Sequence, residues 1–535
     1  PHAAEVQSVR AYPSVAALPQ AVDLAVIATP PRTVPGVIAE LGAHDCRAAV
    51  VITAGFDENT RAAILDAARP NLLRIVGPNC LGFLSPMRGI NASFSHLAPP
   101  QFYIAILTQS LAIATSIIAW ATGRGLGFSH ILSLGDMSDV DFGDLLDYLA
   151  FDAATKSILL YAENVTQARK FISAARIASR AKPVIVVKAG RSSAGAKAAA
   201  SHTGALAGAD AVYDAVFRRT GMLRVDGLRD MFDAAETLAS GMRPRGDRLM
   251  ILTNGGGLGV LATDALARAG AGLAEISDAG RAALAKALPQ AWSRANPVDI
   301  LGDAHGDRYE AALDILAKED CDALLVMNCP TGVSSNMDAA EAVLRARARH
   351  PALPWLACWM GEATAEAPRR RLSAAKLANY ETPDEAVRAF HHLATFARNQ
   401  AALFEAPAPS AARARHAKAS VSAVFASVLR DGRDTLTEPE AKQVLSCYGI
   451  PVVETAIAGT AQEAGAAAAR FAAPVALKIL SRQISHKSDV GGVRLDLEGA
   501  SAVTAAAQAM REAVERTAGE ATIDGFTVQP MVKRP

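Results

Sequence analysis

Short apolar runs alternate with alanine-rich stretches along most of the chain. The runs are continuously apolar, which is typical of strands that are buried on both faces of a parallel sheet. They lie at 23–29, 47–53, 103–107, 158–161, 183–187, 248–252 and 322–326. Helices are predicted between them, for example over 35–43, 167–181 and 210–219. This repeated alternation of strand and helix predicts an α/β fold built on doubly wound parallel sheets.

Three breaks interrupt the alternation and predict domain boundaries. They are a Pro-Pro turn at 99–100, a polar turn at 241–246 and a Pro/Ala linker at 405–410. Beyond the linker, Thr437-Glu-Pro-Glu440 has the pattern of a helix start with an acidic first turn. We therefore expect domains at 1–98, 99–240 and 246–404, a linker at 405–430 and a last domain at 431–535.

Composition excludes several classes of protein. The chain has 535 residues, of which 51% are hydrophobic, and a net charge of +1. The apolar content argues against disorder, and the absence of a basic excess argues against a nucleic-acid binder. Six scattered cysteines without metal-ligand spacing indicate reduced thiols in a cytoplasmic protein. One stretch, 102–120, is long and apolar enough for a membrane span, but its polar residues favour a buried strand followed by a buried helix.

The most informative loop is 188–208, which follows a buried strand and precedes a helix. It consists mostly of small residues, and its only imidazole is His202. Loops at the carboxyl ends of parallel strands are where α/β sheets bind ligands. His202 is therefore a candidate nucleophile or base, although a linker whose histidine only donates or accepts a hydrogen bond fits the pattern too.

Two further strand-to-helix loops predict anion binding. One contains Ser110, and the other, at 253–259, contains Gly255, Gly256 and Gly257. Free N–H groups at a helix start attract anions, and a glycine-rich loop can hold a phosphoryl group there. Neither loop has the P-loop pattern. The alternative for each is a tight connection with no ligand.

A third group of candidates consists of isolated polar residues at strand ends or inside strands. Asn79 and Cys80 lie in a turn after a strand and could line a pocket for a thiol or thioester, or form a structural turn with a buried cysteine. Glu163 ends another strand and could orient an imidazole, or be an ordinary loop acid. Lys478 lies inside an apolar strand, where phosphate is an apt partner and a lysine that extends to solvent is the alternative.

Taken together, these loops resemble those of the NDP-forming acyl-CoA synthetases, the succinyl-CoA synthetase superfamily, and in particular the ADP-forming acetate–CoA ligases. The motifs occur in the family order at 77–80 (GPNC), 140–144 (VDFGD), 201–204 (SHTG), 254–257 (NGGG), 296–299 (NPVD) and 486–492 (HKSDVGG). The resemblance implies a Rossmann-like CoA-binding domain, two flavodoxin-like ligase domains and an ATP-grasp domain. It also implies that the first domain lacks its opening strand and that only the N-terminal part of the last domain is present.

The resemblance further implies a chemistry. Acyl-CoA and phosphate would give acyl phosphate, His202 would become phosphorylated, and ADP would receive the phosphoryl group. Glu163 would hold the imidazole, while Ser110 and Gly257 would flank the phosphoryl group. Asn79 and Cys80 would belong to the CoA site and Lys478 to the ATP/ADP site. The expected cofactors are CoA, ATP or ADP and Mg²⁺. The expected partners are a small acid, its acyl-CoA and phosphate, without nucleic acid or membrane, in a homo-oligomer.

Two alternatives remain open at this point. The same domains occur fused to an acetyltransferase domain in bacterial protein lysine acetyltransferases, where they sense acyl-CoA. Leu111 stands where the family usually has glycine, which fits a scaffold that binds CoA without turnover.

Overall fold

The protein is described by a computed structural model, which covers residues 4–203, 209–405, 413–471, 473–484, 486–517 and 522–532. The chain divides into two compact units, residues 1–405 and 406–535. Each unit has its own apolar core, as expected for a chain with several buried sheets.

The first sheet is small and parallel. Its three strands pair in the order β3-β4-β5, and two short strands form a separate antiparallel ribbon before it. The elements of this region are β1 (Glu5–Val6), β2 (Val9–Arg10), β3 (Leu24–Ile27), α1 (Val34–Ala43), β4 (Ala48–Val51), α2 (Glu58–Ala68) and β5 (Arg74–Val76). The buried positions of α1 and α2 pack with the strands in one cluster.

The second sheet has seven strands, and five of them form a parallel core. The elements are β6 (Gly82–Ser85), β7 (Ile90–Ser93), β8 (Gln101–Thr108), α3 (Leu111–Thr122), β9 (Phe128–Ser133), α4 (Phe142–Phe151), β10 (Ser157–Ala162), α5 (Ala168–Ala181), β11 (Val184–Lys188), α6 (Ser193–Thr203), α7 (Asp210–Arg219), β12 (Leu223–Val225) and α8 (Leu228–Ala239). The strand order β12-β11-β10-β8-β9 is the flavodoxin-like order. Strands are therefore added on one side of β8 first and then on the other, and we call the gap between β8 and β10 the reversal point of this sheet. The hairpin β6–β7 extends this sheet by pairing antiparallel with β9.

The third sheet repeats the same order. Its elements are β13 (Arg248–Thr253), α9 (Gly256–Arg268), β14 (Gly272–Leu273), α10 (Asp278–Ala287), β15 (Val298–Asp299), α11 (Gly306–Leu316), β16 (Ala323–Asn328), α12 (Asn336–Arg349), β17 (Trp355–Trp359), α13 (Glu362–Ala374), β18 (Asn379–Tyr380) and α14 (Pro383–Phe404). The strands pair as β14-β13-β16-β17-β18, and β15 adds to the end of β13. The reversal point of this sheet lies between β13 and β16. The prediction of two flavodoxin-like domains is confirmed.

One apolar cluster joins the two flavodoxin-like domains. It contains Ile106 and Leu159 of the second sheet, Ile251 and Leu325 of the third, and Phe390 of α14. The two domains therefore share a core rather than meeting through a polar surface, and shared burial of this kind favours a fixed relation between them.

The stretch 102–120 is a strand followed by a helix, as the sequence predicted. Strand β8 ends at Thr108 and helix α3 begins at Leu111. No helix in the described ranges is long and apolar enough to cross a membrane.

The second unit contains an antiparallel sheet in the order β19-β22-β20-β21. Its elements are α15 (Arg413–Arg430), α16 (Glu438–Cys447), β19 (Ala456–Ala458), α17 (Ala461–Ala468), β20 (Val475–Leu480), β21 (Val493–Leu497), α18 (Ala500–Thr517) and β22 (Gly525–Pro530). Most of the segment expected to be a linker is thus helix α15. The predicted start of α16 is confirmed, since Thr437 and Glu440 form a capping box.

Candidate active site

The first site element is the loop between β8 and α3. Ser110 is the N-cap of α3, and its Oγ accepts a hydrogen bond from the Ile113 N–H at 3.3 Å. Leu111 has a helical backbone in the first turn, and its side chain packs against the cluster that joins the two ligase domains. Leucine in place of glycine at 111 is therefore compatible with the helix start, because no left-handed conformation is required there.

Glu163 lies across the reversal point of the second sheet from the end of β8. It follows β10, the strand beside β8. The Gln109 Oε1 accepts hydrogen bonds from the Glu163 N–H at 2.6 Å and from the Asn164 N–H at 2.9 Å. The structure therefore brings Ser110 and Glu163 to the same edge of the sheet.

Lys188 ends the next strand and is a buried cation beside Glu163. Its side chain is almost fully buried, and the Nζ donates to the Ala189 carbonyl oxygen at 2.5 Å and lies 4.5 Å from the centre of the Tyr213 ring. Burial lowers the pKa of Lys188, while Asp210 and Glu163 act in the opposite direction. This edge of the sheet thus carries positive charge just before the loop that leads to His202.

The sequence predicted a loop over 188–208, but residues Ser193–Thr203 of that range form helix α6, since its alanine-rich sequence favours a helix. His202 lies in this helix. Its side chain is outside the described part of the chain, so its position relative to Glu163 stays a prediction.

The glycine-rich loop of the third sheet forms a second helix start. Gly255 is the N-cap of α9, so Gly256 and Gly257 occupy its first turn, where N–H groups have no partner within the helix. A Cβ on Gly256 would lie 2.9 Å from the Asp299 Oδ2, whereas a Cβ on Gly257 would meet no atom of the described residues within 4 Å outside its own helix. The space in front of Gly257 is therefore open, and Asp299 of the 296–299 motif lies beside it.

Both helix starts border the apolar cluster that joins the two ligase domains. Leu111 and Leu258, each in the first turn of its helix, pack against the shared apolar cluster. Each amino end carries positive partial charge, which favours an anion.

The turn at 77–80 adjoins this edge of the second sheet. The loop after β9 connects them, since the Leu134 N–H donates to the Thr108 carbonyl at 2.8 Å and the Asp136 N–H donates to the Pro78 carbonyl at 2.9 Å. Asn79 is exposed at the turn, and its Nδ2 donates to the Asp136 Oδ1 at 3.2 Å. The predicted CoA turn thus lies next to the predicted phosphate loop.

Cys80 does not face this surface. Its side chain is fully buried, its Sγ lies 3.4 Å from the Val51 carbonyl oxygen, and burial raises the pKa of its thiol to about 12. These observations match the alternative of a structural turn with a buried cysteine, and they leave Asn79 as the residue of the pair that a ligand can reach.

In the second unit, Lys478 lies in β20 and has a protein partner. Its Nζ is 3.0 Å from the Glu438 Oε1, and the Nζ atoms of Lys442 and Lys487 lie 3.2 and 3.4 Å from oxygens of the same carboxylate. Burial acts to raise the pKa of Glu438, but hydrogen bonds from Lys478 and Lys442 outweigh it and hold the pKa at about 2. Three ammonium groups around one carboxylate leave an excess of positive charge in this unit, which suits a polyanion.

Sequence reasoning missed Gln109, Asp299 and Glu438 as parts of these sites. A signal for the first was present, because Thr108-Gln109-Ser110 and Thr253-Asn254-Gly255 follow the two leading strands with the same order of residue types. Glu438 was predicted only as part of an acidic first turn. Its partner Lys442 lies four positions further along the same helix, whereas Lys478 and Lys487 come from later segments that fold onto it.

Comparisons with known proteins agree with this architecture. The CoA binding domain family matches residues 1–86, the succinyl-CoA ligase like flavodoxin domain family matches 102–238, and the ATP-grasp domain family matches 427–535.

Two curated relatives match over nearly the whole chain. An ADP-forming acetate–CoA ligase I of Archaeoglobus fulgidus is 37% identical over 99% of this chain and 76% of its own length. An ADP-forming 4-hydroxybutyrate–CoA ligase of Nitrosopumilus maritimus is 32% identical over 98% of this chain and 76% of its own. Neither relative is named as an acetyltransferase, so they give no support to that alternative.

A solved structure is similar as well. The dinucleotide forming acetyl-coenzyme A synthetase 1 of Ca. Korarchaeum cryptofilum is 33% identical, with a TM-score of 0.65 over 76% of this chain and 90% of that chain. The ordered motifs, the two flavodoxin-like sheets and these similarities show that the chain belongs to the ADP-forming acyl-CoA synthetases, the family of the ADP-forming acetate–CoA ligases.

Proposed function

We propose that the chain interconverts an acyl-CoA, ADP and phosphate with the free acid, CoA and ATP, with acetate or another short acid as substrate. The observation that carries this proposal is the pair of helix starts at Ser110 and at Gly256–Gly257, which both border the cluster between the ligase domains, with the Asn79 turn next to the first of them. The similar synthetase of Ca. Korarchaeum cryptofilum has been solved in complex with phosphate and ADP, at 34% identity and a TM-score of 0.65.

The proposed reaction has three transfers. A phosphate oxygen attacks the thioester carbonyl, and CoA leaves with the proton that phosphate gives up. The His202 imidazole then attacks the phosphorus of the acyl phosphate, and the acid leaves as a carboxylate. Finally an oxygen of ADP attacks the phosphohistidine, which forms ATP and regenerates the histidine. A covalent carrier divides one three-component reaction into simpler steps.

Each described residue has a role that its position supports. The N–H groups at the starts of α3 and α9 stabilise charge on the phosphoryl group. The Glu163 carboxylate accepts a hydrogen bond from the imidazole and balances its positive charge during the attack. Asn79 contributes to CoA binding. Lys478, Lys442 and Lys487 hold the nucleotide phosphates, with Glu438 as their shared counter-charge.

Magnesium enters this proposal only with the nucleotide. Within the described ranges no three His, Cys, Asp or Glu side chains come together as a metal site. We therefore assign no ligand of this chain to Mg²⁺ and derive no step through it.

The test is phosphohistidine formation from acetyl-CoA and radiolabelled phosphate in the intact chain. We expect label that is stable in base and labile in acid, that is absent in His202→Asn, and that moves to ADP to give ATP. 4-Hydroxybutyryl-CoA, tested in parallel, decides between short acids. A chain that is folded but takes no label from any short acyl-CoA would refute the proposal and leave the scaffold alternative.

Gly257→Ala tests the phosphoryl site separately from folding. Alanine is favoured over glycine in a helix by up to about 1 kcal/mol, and a methyl group at 257 meets no atom of the described residues within 4 Å outside its own helix, so the variant should be slightly more stable than the wild type. If phosphate occupies that open space, its KM should rise in the same variant. An unchanged KM for phosphate would show that the space is not the anion site.

A further inference from the structure

The two reversal points of the flavodoxin-like sheets have the same hydrogen-bonded loop. At the first, the Thr108 Oγ1 accepts from the Ser110 N–H and donates to the Ser110 carbonyl, both at 3.1 Å. At the second, the Thr253 Oγ1 makes the corresponding bonds to Gly255 at 3.0 and 3.1 Å. In both loops the residue between the two partners is an amide, Gln109 or Asn254.

Both amides cross the reversal point to the neighbouring strand. Asn254 accepts from the Cys329 N–H at 2.7 Å and donates to the Cys329 carbonyl at 2.9 Å. Gln109 accepts from the N–H groups of Glu163 and Asn164, and its Nε2 donates to the Asn164 Oδ1 at 2.7 Å. We call each of these contacts an amide bridge. Glu163 and Cys329 therefore occupy equivalent positions in the two domains.

The orientation of the Gln109 amide is fixed by its partners. Its Oε1 meets two backbone N–H groups, which can only donate, so the oxygen must face Glu163 and Asn164. The side chain is 9% exposed, so these bonds form in a site that is largely shielded from water. A buried amide with all of these partners holds the loop after β10 in one place.

The Glu163 carboxylate has no comparable anchor of its own. Among the side chains that the structure describes, none donates a hydrogen bond to it, and its described interactions are electrostatic, with Tyr161 and Lys188. The position of the carboxylate therefore depends on the backbone from which it extends. The amide bridge at Asn254 holds a residue without a carboxylate, so only the first bridge can affect a charge.

We propose that Gln109 is a positioning residue for the reaction, and that it acts by fixing Glu163 where the carboxylate meets the imidazole of His202. This inference rests on the proposed function. Supporting side chains of this kind commonly change rates by about 10- to 100-fold when they are removed, because a small displacement of a reacting group is costly.

The experiment is a double-mutant cycle on the rate of phosphohistidine labelling from acetyl-CoA and phosphate in the intact chain. Gln109→Ala should slow labelling by about 10- to 100-fold in the wild-type background, and by less than about 3-fold in a Glu163→Gln background. Asn254→Ala should cost the same factor in both backgrounds, because its bridge does not hold Glu163. The pH profile of labelling should shift in the same direction in Gln109→Ala as in Glu163→Gln.

Gln400→Ala is the matched control for stability. Gln400 is another glutamine that joins two backbone segments, since its Nε2 donates to the Ser179 and Gly221 carbonyls at 3.2 and 2.9 Å. This variant should lose stability while the labelling rate stays unchanged. Hydrogen exchange at the Glu163 and Asn164 amides should accelerate in Gln109→Ala and not in Gln400→Ala.

The outcomes separate the inference from the proposed function. If the wild type is labelled but Gln109→Ala slows labelling equally in both backgrounds, or does not slow it at all, the inference is overturned and the proposed function stands. Absence of labelling in the wild type overturns the function, and the role of Gln109 with it.

Discussion

Gly135 lies where the loop after β9 meets the turn at 77–80, and replacing it with alanine should disrupt that contact. Its φ of +53° is in the left-handed region, where a residue with a Cβ is strained by about 1 kcal/mol. The added Cβ would also lie 2.1 Å from the Pro78 carbonyl oxygen and 2.4 Å from that of Asn79. Both are backbone atoms, which cannot rotate away as a side chain can.

The loop must therefore move away from the turn, and two hydrogen bonds depend on that contact. The N–H groups of Asp136 and Ser138 donate to the carbonyls of Pro78 and Gly77 at 2.9 and 3.1 Å. At about 0.5–1.5 kcal/mol for each bond, added to the strain, Gly135→Ala should cost about 2–4 kcal/mol. Because Asn79 belongs to the same turn, the KM for acyl-CoA should rise as well.

Gly125→Ala is the matched control. Gly125 has a φ of +68°, and a Cβ there would meet no atom of the described residues within 4 Å apart from its chain neighbours, so only the strain of about 1 kcal/mol is expected. Urea unfolding of the intact chain, followed by circular dichroism, measures both variants against the wild type. Equal falls of the two midpoints would refute the reasoning, because they would show that the contact with the turn contributes nothing to stability.

Three further predictions concern the other charged or crowded positions. Glu438→Gln removes the shared partner of three partly buried lysines and should destabilise the chain by about 1–3 kcal/mol. Added tripolyphosphate should restore the urea midpoint of this variant, and a variant midpoint equal to that of the wild type would contradict the prediction. Gly256→Ala should lower the thermal midpoint of the chain, whereas Gly257→Ala should raise it, because only a methyl group at 256 meets the Asp299 carboxylate. Midpoints that shift in the same direction in both variants would exclude this. Burial lowers the pKa of Lys188, so between that lowered value and the ordinary 10.5 the unfolded chain binds more protons than the folded one. Wild-type stability should therefore rise relative to Lys188→Met as the pH increases towards 10.5, and parallel urea midpoints across that range would count against it.

The fold could be predicted from local pattern because its strands are buried on both faces. A strand such as β10 or β16 must be continuously apolar, and the helices between strands must be long enough to return to the same edge. These are properties of a short window, so alternation alone indicated the parallel sheets and the ends at which ligands bind. The family resemblance then supplied the order of the domains, which periodicity could not.

The details of the site depend on contacts between distant positions, and local pattern does not contain them. Gln109 and Glu163 are more than 50 positions apart, and only the order of strands in the folded sheet makes them neighbours. The same holds for Lys478, whose partner Glu438 comes from a helix that precedes its strand. Cys80 shows the converse. Its residue type suggested a ligand-binding thiol, but in the folded chain its side chain is buried against Val51 of another strand.

The two ligase domains have the same loop arrangement at their reversal points but hold different residues there. A strand-end threonine, a bridging amide and a helix start recur at both reversal points, so the two domains share this backbone arrangement. What distinguishes the domains is the residue held on the far side of the bridge, which is Glu163 in one and Cys329 in the other. The helix starts supply fixed partial charge in both domains, but of the two residues held by the amide bridges only Glu163 carries a carboxylate. The two domains therefore differ in single residues placed on two equivalent frames, and the frame that holds Glu163 precedes the strand that leads to the helix of His202.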